Sequence, residues 1–253
     1  NDPFLLFDHF GPIKYDPGGA TGVPAHPHCG FEAITYLLEG EIEHKDSWGG
    51  QASIKTGDIQ WMTTGSGLIH SELVTEKFKK SGGVMQGLQI WVNLQEKNKK
   101  VKPWYQHIEK DNIPTIEEKD GVWIKVLVGQ IKDTKSLVQT YSPVSIFEIQ
   151  FYKPDQISLD IPKNQIAMVY VIDGELKFLE TNKIASKGQM IYFDQSSSKI
   201  NLTSISSSGS YLILAGEALN ESVFRHGPFI TNTEEEMKQA MLDYQNGKMG
   251  ILN

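Results

Sequence analysis

The sequence has almost no cysteine. Its 253 residues include a single one, Cys29. One thiol cannot form an intrachain disulfide, and such sparse use of cysteine is typical of a reducing compartment. The fold must therefore depend on packing, for which a hydrophobic content of 39% is sufficient.

Long apolar runs are also missing. No stretch approaches the roughly 18 to 20 residues that a membrane-spanning helix needs. The first residues, Asn-Asp-Pro-Phe, lack the basic start and apolar segment of a secretory signal. The chain does not begin with Met, so what precedes Asn1 is left open. We expect a soluble, cytoplasmic protein with no membrane contact and, because no exposed apolar stripe is evident, a monomer.

Positive charge is in short supply. Lys and Arg total 24 against 31 acidic residues, which gives a net charge of -7. Phosphate backbones repel such a chain, so nucleic acid is not expected as a direct ligand. Lysines at 77–80 and 97–102 form two local basic runs. They lie beside glutamates, which is the pattern of solvated loops more often than of contact patches.

The sequence is rich in short apolar stretches separated by Gly, Pro, Asn and Asp. Their length and their content of Val, Ile, Tyr, Phe and Trp favour strands over helices. They read EAITYLLEG, GLQIWVNL, VWIKVLVG, IFEIQFY, AMVYVIDG, QMIYFD and SYLILAG. Many short strands with regular turns predict an all-β fold, either a sandwich or a barrel.

The chain also contains an internal repeat. YLLEGEIE at 36–43 matches YVIDGELK at 170–177, and GDIQWM from Gly57 matches GQMIYF from Gly188, at offsets of 134 and 131 residues. Self-similarity of this kind indicates two copies of one β-domain. We predict a first domain over 1–134 and a second over 135–230.

The tail over 231–253 differs from everything before it. Thr233 followed by Glu236 forms a capping box, and acidic residues crowd the first turn. Apolar residues then recur at helical spacing, namely Met237, Ala240, Met241 and Tyr244. We predict an amphipathic C-terminal helix that packs against a barrel.

Two pairs of side chains are candidate metal ligands. His26 and His28 are two residues apart, as are His70 and Glu72. Alternate residues of a strand face the same side, so two such strands would bring three imidazoles and one carboxylate together. This donor set suits a first-row transition metal.

The alternative is that these are ordinary core or surface histidines. A comparison of the two halves argues against it. The offsets carry His26 and His28 onto Asp160 and Pro162, and they carry His70 and Glu72 onto positions 201 and 203, which are Asn201 and Thr203. The second copy keeps the framework without the ligands, as expected if the histidines serve a site.

Three further histidines are expected to be dispensable. His44 lies in a charged stretch, and His107 and His226 are near turns. His9, with Phe10, could line the mouth of the barrel and contact a substrate. Cys29 follows a proposed ligand and is interpreted as an inert buried thiol, with a redox role as the alternative.

Three segments resemble the two metal motifs of the cupin superfamily, and their particular residues resemble those of the pirin family. They read GGATGVPAHPHCGFE, YLLEGEIEH and GDIQWMTTGSGLIHSE. DPFLLFDHFGP, GLQIWVNL and GPFITNTEEEMKQAMLDYQNGKMG extend the resemblance through nearly the whole chain. It implies a bicupin, which is two tandem jelly-roll β-barrels packed face to face, with metal in the first barrel only.

The resemblance also implies the ligand set and the activity. The ligands are His26, His28, His70 and Glu72, with Glu32 as a non-ligand near the site and a weak candidate for substrate contact. Many family members have a basic residue where this chain has Cys29, so its electrostatic role is in doubt.

Four ligands on a six-coordinate ion leave two positions open. The resemblance implies Fe(II), with Zn, Mn, Ni and Cu as alternatives, and a dioxygenase of the quercetin 2,3-dioxygenase type that acts on a flavonol or similar enol or phenol. Glu72 would be both ligand and general base. The alternative function is a non-enzymatic, redox-responsive regulatory protein. A third and weaker alternative is an isomerase or lyase.

Overall fold

The computed structural model describes most of the chain, namely residues 2–179, 181–193 and 199–252. Strands account for most of it, and all seven predicted strand stretches overlap strands, with Asp194 at the end of QMIYFD outside the described residues. Neither α-helix is long and apolar enough to span a bilayer within the described residues. The structure therefore confirms the predicted all-β class with a helix near the C-terminus.

The chain divides into two compact units with bounds that differ from the predicted 1–134 and 135–230. The first unit comprises Asn1–Asn112, Thr140–Ser142 and Leu219–Asn253, and the second comprises Ile113–Gln139 and Pro143–Ala218. Residues 115–128 join the second unit because their strands pair with a strand of that unit. The C-terminal segment belongs to the first unit.

The first unit begins with nine strands and one short helix. The strands are Phe4–Tyr15 (β1), Gly22–His28 (β2), Phe31–Glu39 (β3), Glu41–Asp46 (β4), Gln51–Lys55 (β5), Ile59–Thr63 (β6), Leu68–Val74 (β7), Gly83–Asn93 (β8) and Trp104–Ile108 (β9), with the helix at Glu76–Ser81 (α1) and a 3-10 turn at Glu96–Asn98. A second 3-10 turn lies at Lys110–Asn112.

These nine strands form two antiparallel sheets. One has the order β1-β8-β3-β6-β9, and the other has the order β2-β7-β4-β5. A core cluster joins Phe31, Met62 and Trp91 of the first sheet to Leu68 of the second, so the apolar core lies between the sheets. Burying each such side chain stabilises the fold by about 1.5–3 kcal/mol.

The second unit repeats this plan. Its strands are Thr115–Lys119 (β10), Val122–Val128 (β11), Gln130–Ile131 (β12), Thr134–Lys135 (β13), Val144–Phe151 (β14), Asp155–Asp160 (β15), Gln165–Asp173 (β16), Glu175–Phe178 (β17), Ile184–Ser186 (β18), Met190–Phe193 (β19), Lys199–Ser204 (β20) and Gly209–Glu217 (β21). They form sheets ordered β10-β11-β14-β21-β16-β19 and β15-β20-β17-β18, with β12 and β13 as a separate pair.

The topology supports the internal repeat. The order β8-β3-β6 of the first unit corresponds to β21-β16-β19, and β2-β7-β4-β5 corresponds to β15-β20-β17-β18. The repeated sequence segments fall on these elements, since YLLEGEIE spans β3 and β4 and YVIDGELK spans β16 and β17. The two units are therefore copies of one β-fold.

The strand register corrects the positions aligned across the repeat. In β15 and β20 the buried apolar side chains are Ile157, Leu159, Ile200 and Leu202, and they belong to one apolar core. Asp160, Asn201 and Thr203 lie on the other faces of these strands, and Pro162 lies beyond β15. A slip of one residue exchanges the two faces of a strand, so the aligned positions were wrong. The positions that correspond to the ligands after this correction belong to the apolar core, so they offer no metal-binding side chains.

The C-terminal segment consists of Phe224–His226 (β22), Phe229–Thr231 (β23) and the helix Glu234–Gln245 (α2). Thr233 caps α2, and its capping box with Glu236 is complete, as predicted. Met237 and Ala240 pack in a cluster with Cys29 and Phe229. The helix therefore packs against the first unit through its apolar face.

Candidate metal centre

The four predicted ligand side chains lie on two paired strands. His26 and His28 belong to β2, and His70 and Glu72 belong to β7. The two strands are antiparallel, with His26 directly opposite His70. Alternate residues of each strand project to the same side, which explains why the sequence spacing brings the imidazoles together.

Three imidazole nitrogens converge on one point. The Nε2 atom of His26 lies 2.9 Å from the Nε2 atoms of both His28 and His70. His28 and His70 are buried and His26 is half-buried. Phe31 and Trp91 contact the His28 ring edge-on at centroid distances of 5.2 and 5.3 Å, so packing fixes its orientation.

Burial keeps two of these imidazoles, His28 and His70, neutral. Desolvation, with a smaller effect from His26, lowers the pKa of His28 to about 3. The pKa of His70 is lowered well below its usual value, again chiefly by burial and then by the neighbouring histidines. A neutral imidazole has one lone pair to offer, which is the form that binds a metal.

The spacing of the nitrogens fits a metal ion. Two nitrogens bound to one ion at about 2.1 Å and at right angles lie about 3.0 Å apart, close to the 2.9 Å observed. The buried Nδ1 atom of His28 has no hydrogen-bond partner within the described structure. Buried polar atoms rarely lack partners, so this histidine serves a purpose other than packing.

The backbone fixes the tautomer of His26. Its Nδ1 atom lies 2.8 Å from the carbonyl oxygen of Pro24, which can only accept a hydrogen bond. The proton is therefore on Nδ1, and the lone pair is on Nε2, where the other two histidines converge. Contacts of this kind orient metal-binding histidines in many proteins.

Glu72 lies beside this cluster without being part of it. The three histidines can share one ion, whereas Glu72 belongs to a second group with His70 and His44, whose ligand atoms are all within 4.8 Å of one another. The carboxylate accepts hydrogen bonds from the Gln60 amide and, at 3.5 Å, from the Thr35 hydroxyl. A role as fourth ligand therefore stays a prediction.

Gln60 is itself held in place. The hydroxyl of Tyr105 donates to its Oε1 atom at 3.1 Å, which leaves the amide nitrogen directed at Glu72. Burial, with further effects from the nearby carboxylates, raises the pKa of Tyr105 well above its usual value. The phenol therefore stays protonated and remains a donor.

The structure places His44 beside the three-histidine cluster, whereas its charged sequence context had suggested a residue away from the site. His44 is fully buried in β4, and its Nδ1 atom lies 3.5 Å from the Nδ1 atom of His70. Its Nε2 atom lies 3.1 Å from Asp46, which is also buried. The signal in the sequence is the alternation of Ile42, His44 and Asp46, which places all three on the buried face of β4 although the stretch is charged.

The other two histidines lie elsewhere. His107 is half-buried and contacts Asp58 at 3.0 Å, and His226 is exposed. Cys29 is buried, and burial raises the pKa of its thiol to about 11, with Lys99 opposing and Asp243 reinforcing the shift. A thiol in this state is inert, as expected from the sequence.

The weak candidates for substrate contact have other neighbours. Glu32 is fully buried and accepts hydrogen bonds from four donors, which are Trp61 Nε1, Thr63 Oγ1, Thr140 Oγ1 and the Tyr141 backbone. His9 is hydrogen-bonded to Gln86 at 2.8 Å. Phe10 packs against a core cluster of the first unit. A substrate role for these three residues stays a prediction.

Both groups of side chains that could hold a metal ion, among the residues the structure describes, lie in the first unit. The corresponding part of the second unit is filled by the apolar cluster that contains Ile157 and Leu202. The candidate metal centre is thus confined to one of the two copies.

Comparisons with known proteins agree with this description. The pirin family model matches residues 1–92, and the model of the pirin C-terminal cupin domain matches residues 146–250. Human pirin is 37% identical over 99% of this chain and 83% of its own length, and a pirin-like protein of Solanum lycopersicum is 35% identical over 99% and 82%. A crystal structure of quercetin 2,3-dioxygenase from Acinetobacter baumannii superposes with a TM-score of 0.92 at 35% identity, covering 98% of this chain and 86% of that one. The chain, with its bicupin fold, belongs to the pirin family.

Proposed function

We propose that this protein is a metal-dependent dioxygenase that acts on a flavonol or a similar enol or phenol. The observation that carries the proposal is the convergence of three buried or half-buried Nε2 atoms, on His26, His28 and His70. The 35% identity to a structure named quercetin 2,3-dioxygenase supports the substrate class. Fe(II) is the proposed metal, and Zn, Mn, Ni and Cu are the alternatives.

The three histidines would hold the ion through Nε2. When bound, a ferrous ion supplies Lewis acidity toward a substrate hydroxyl and one-electron chemistry toward dioxygen. The neutral state of His28 and His70 makes both lone pairs available at neutral pH. Burial of these two rings also excludes bulk water, which would compete for the same positions.

Glu72 is the proposed fourth ligand and general base. Its carboxylate lies within 4.8 Å of a ligand nitrogen of His70, on the buried face of β7. Gln60 and Thr35 donate hydrogen bonds to one of its oxygens, Oε1. The other oxygen is available to take the proton from a substrate hydroxyl, which would leave the electron-rich enolate that reacts with dioxygen.

Oxygen uptake tests this function. The protein is loaded anaerobically with Fe(II), and uptake is then measured with quercetin as the probe. We expect metal-dependent uptake that falls by about a hundredfold or more in Glu72→Gln, because a general base contributes roughly 10²–10⁴. The matched control is Glu148→Gln, which changes a buried carboxylate of the second unit and should retain uptake.

Two results would overturn parts of the proposal. Full iron content without uptake would contradict the dioxygenase and favour the redox-responsive regulatory protein. Undiminished uptake in Glu72→Gln would remove Glu72 from the mechanism while leaving the activity in place.

A further inference from the structure

We propose that Asp46 and His44 are positioning residues that fix the tautomer of His70, so that its Nε2 lone pair is available to the metal. The inference rests on the proposed metal centre. It assigns a role to two buried residues that the ligand set does not include.

A continuous chain of contacts leads from the three-histidine cluster to Asp46. The Nε2 atom of His70 faces His26, and its Nδ1 atom lies 3.5 Å from the Nδ1 atom of His44, a long hydrogen bond. The Nε2 atom of His44 lies 3.1 Å from Oδ2 of Asp46. His44 is therefore placed between a metal ligand and a carboxylate.

Asp46 fixes the direction of these hydrogen bonds. Its Oδ1 atom accepts the backbone N–H groups of Trp48 at 2.8 Å and Gly50 at 3.0 Å. The carboxylate is an acceptor only, so the facing Nε2 of His44 must carry a proton.

The protons along the chain are then determined. A neutral His44 protonated at Nε2 has its lone pair at Nδ1 and accepts the hydrogen bond from Nδ1–H of His70. A neutral His70 protonated at Nδ1 has its lone pair at Nε2, on the side of His26 and His28. Orienting contacts of this kind are typical of metal-binding histidines.

Packing holds the His44 ring in the orientation that these hydrogen bonds require. The ring is fully buried and stacks on Tyr105, with a centroid distance of 4.0 Å and an interplanar angle of 8°. A ring confined in this way cannot turn away to satisfy its nitrogens elsewhere. The direction of the hydrogen bonds is therefore set at Asp46.

The substitution Asp46→Asn should reverse the direction. The two backbone N–H groups at Oδ1 keep the amide oxygen there, so the NH₂ group takes the place of Oδ2 and donates to His44 Nε2. His44 must then be protonated at Nδ1 and donate to His70, which moves the His70 proton to Nε2. A proton at that position blocks the metal, so we expect zinc to bind about 10–100-fold more weakly.

The first unit contains a matched control. Asp58 is also buried and contacts a histidine, His107, at 3.0 Å, although its two backbone N–H donors, from Lys110 at Oδ1 and Lys55 at Oδ2 at 2.9 Å each, are divided between its oxygens. Asp58→Asn makes the same chemical change in a His–Asp pair with no contact to the three-histidine cluster among those described. Its zinc affinity should stay within about threefold of wild type.

A double mutant separates tautomer control from a general structural effect. His44→Phe keeps the stacking on Tyr105 but removes both ring nitrogens. A change of hydrogen-bond direction at Asp46 can then no longer alter the tautomer of His70. We expect a smaller loss of affinity than in Asp46→Asn. Adding Asp46→Asn to His44→Phe should change little further, which gives a large coupling energy between the two positions.

The experiment measures zinc affinity by competition with a chelator, together with ¹H–¹⁵N spectra of the histidine rings in the zinc-loaded protein. Wild type should show protons on His70 Nδ1 and His44 Nε2. Equal affinities in Asp46→Asn and Asp58→Asn, additive losses in the double mutant, or a proton on His44 Nδ1 in wild type would each overturn the inference.

Failure of the underlying function is distinguishable. If wild type binds no zinc, the proposed metal centre is wrong. If wild type binds zinc and Asp46→Asn behaves like its control, only the role of Asp46 and His44 is wrong. Should Asp46→Asn not fold, the ring protons of the wild-type protein and the affinity of His44→Phe decide the question.

Discussion

Histidine protonation decides what the centre can do. The Nε2 atom of His26 lies 2.9 Å from those of His28 and His70, so the three imidazoles could not all be charged, because each added charge would repel the others. Burial favours the neutral form, and the contacts of His26 with Pro24 and of His70 with His44 place the protons on the outer nitrogens. The residues around the ligands thus prepare the lone pairs.

Cys29 provides a test at the residue scale. Burial raises its pKa to about 11 from an ordinary value of 9.0. Only the thiolate reacts with iodoacetamide, so at pH 8 alkylation should be about 100-fold slower in the folded protein than in urea. Between pH 8 and 11 the rate in the folded protein should rise about tenfold for each pH unit, whereas the rate in urea should level off near pH 9.

The chain offers its own control for this measurement. Cys29 is the only cysteine, so all labelling reports on one site, and the urea-unfolded chain supplies the reference rate. Equal rates in folded and unfolded protein at pH 8 would contradict the buried, inert thiol.

At the scale of elements, helix α2 depends on its N-cap. Thr233 Oγ1 accepts a hydrogen bond from the backbone N–H of Glu236 at 3.1 Å, and the Glu236 carboxylate accepts from the Thr233 backbone at 3.2 Å. We expect Thr233→Ala to lower the free energy of opening of α2 by about 1 kcal/mol, which makes its amides exchange about fivefold faster.

The control for the cap is Thr233→Ser, which keeps a hydroxyl acceptor and should exchange like wild type. Hydrogen exchange of the α2 amides distinguishes the two variants. Unchanged exchange in Thr233→Ala would mean that packing through Met237 and Ala240, and not the cap, sets the stability of the helix.

The strands, the helix cap and the two ligand pairs could be predicted because their signals are local. Seven apolar stretches, the capping box of α2 and the two His-x-His and His-x-Glu pairs are each contained in a few neighbouring residues. Alternation along a strand is enough to place His26 with His28, and His70 with Glu72, on common faces.

The rest depended on register and on pairing between strands. The position of His44 was not predicted because both faces of β4 carry charged residues. Only the pairing of β4 with β7 shows that one of these faces is buried. The positions aligned with the ligands in the second unit were wrong because a one-residue slip exchanges the faces of a strand. The bounds of the two units differ from the predicted domain bounds because β11 pairs with β14. The local sequence of β11 does not indicate this pairing.

The whole molecule contains two copies of one fold, and the described residues form a candidate metal centre in only one of them. The first unit holds both groups of candidate ligands found among the described residues, and the matching strands of the second unit contribute to an apolar core. In a duplicated scaffold, one copy can hold a functional site while the other copy has only a structural role. We therefore expect one iron ion per chain.

The most direct test of this claim is the iron content of the Fe(II)-loaded protein and of His28→Ala. We predict one iron per wild-type chain and, in His28→Ala, less than about a tenth of that content with unchanged circular dichroism. His107→Ala, which removes a histidine that contacts Asp58 instead, should retain the wild-type content. A full complement of iron in His28→Ala would contradict the assignment of the centre.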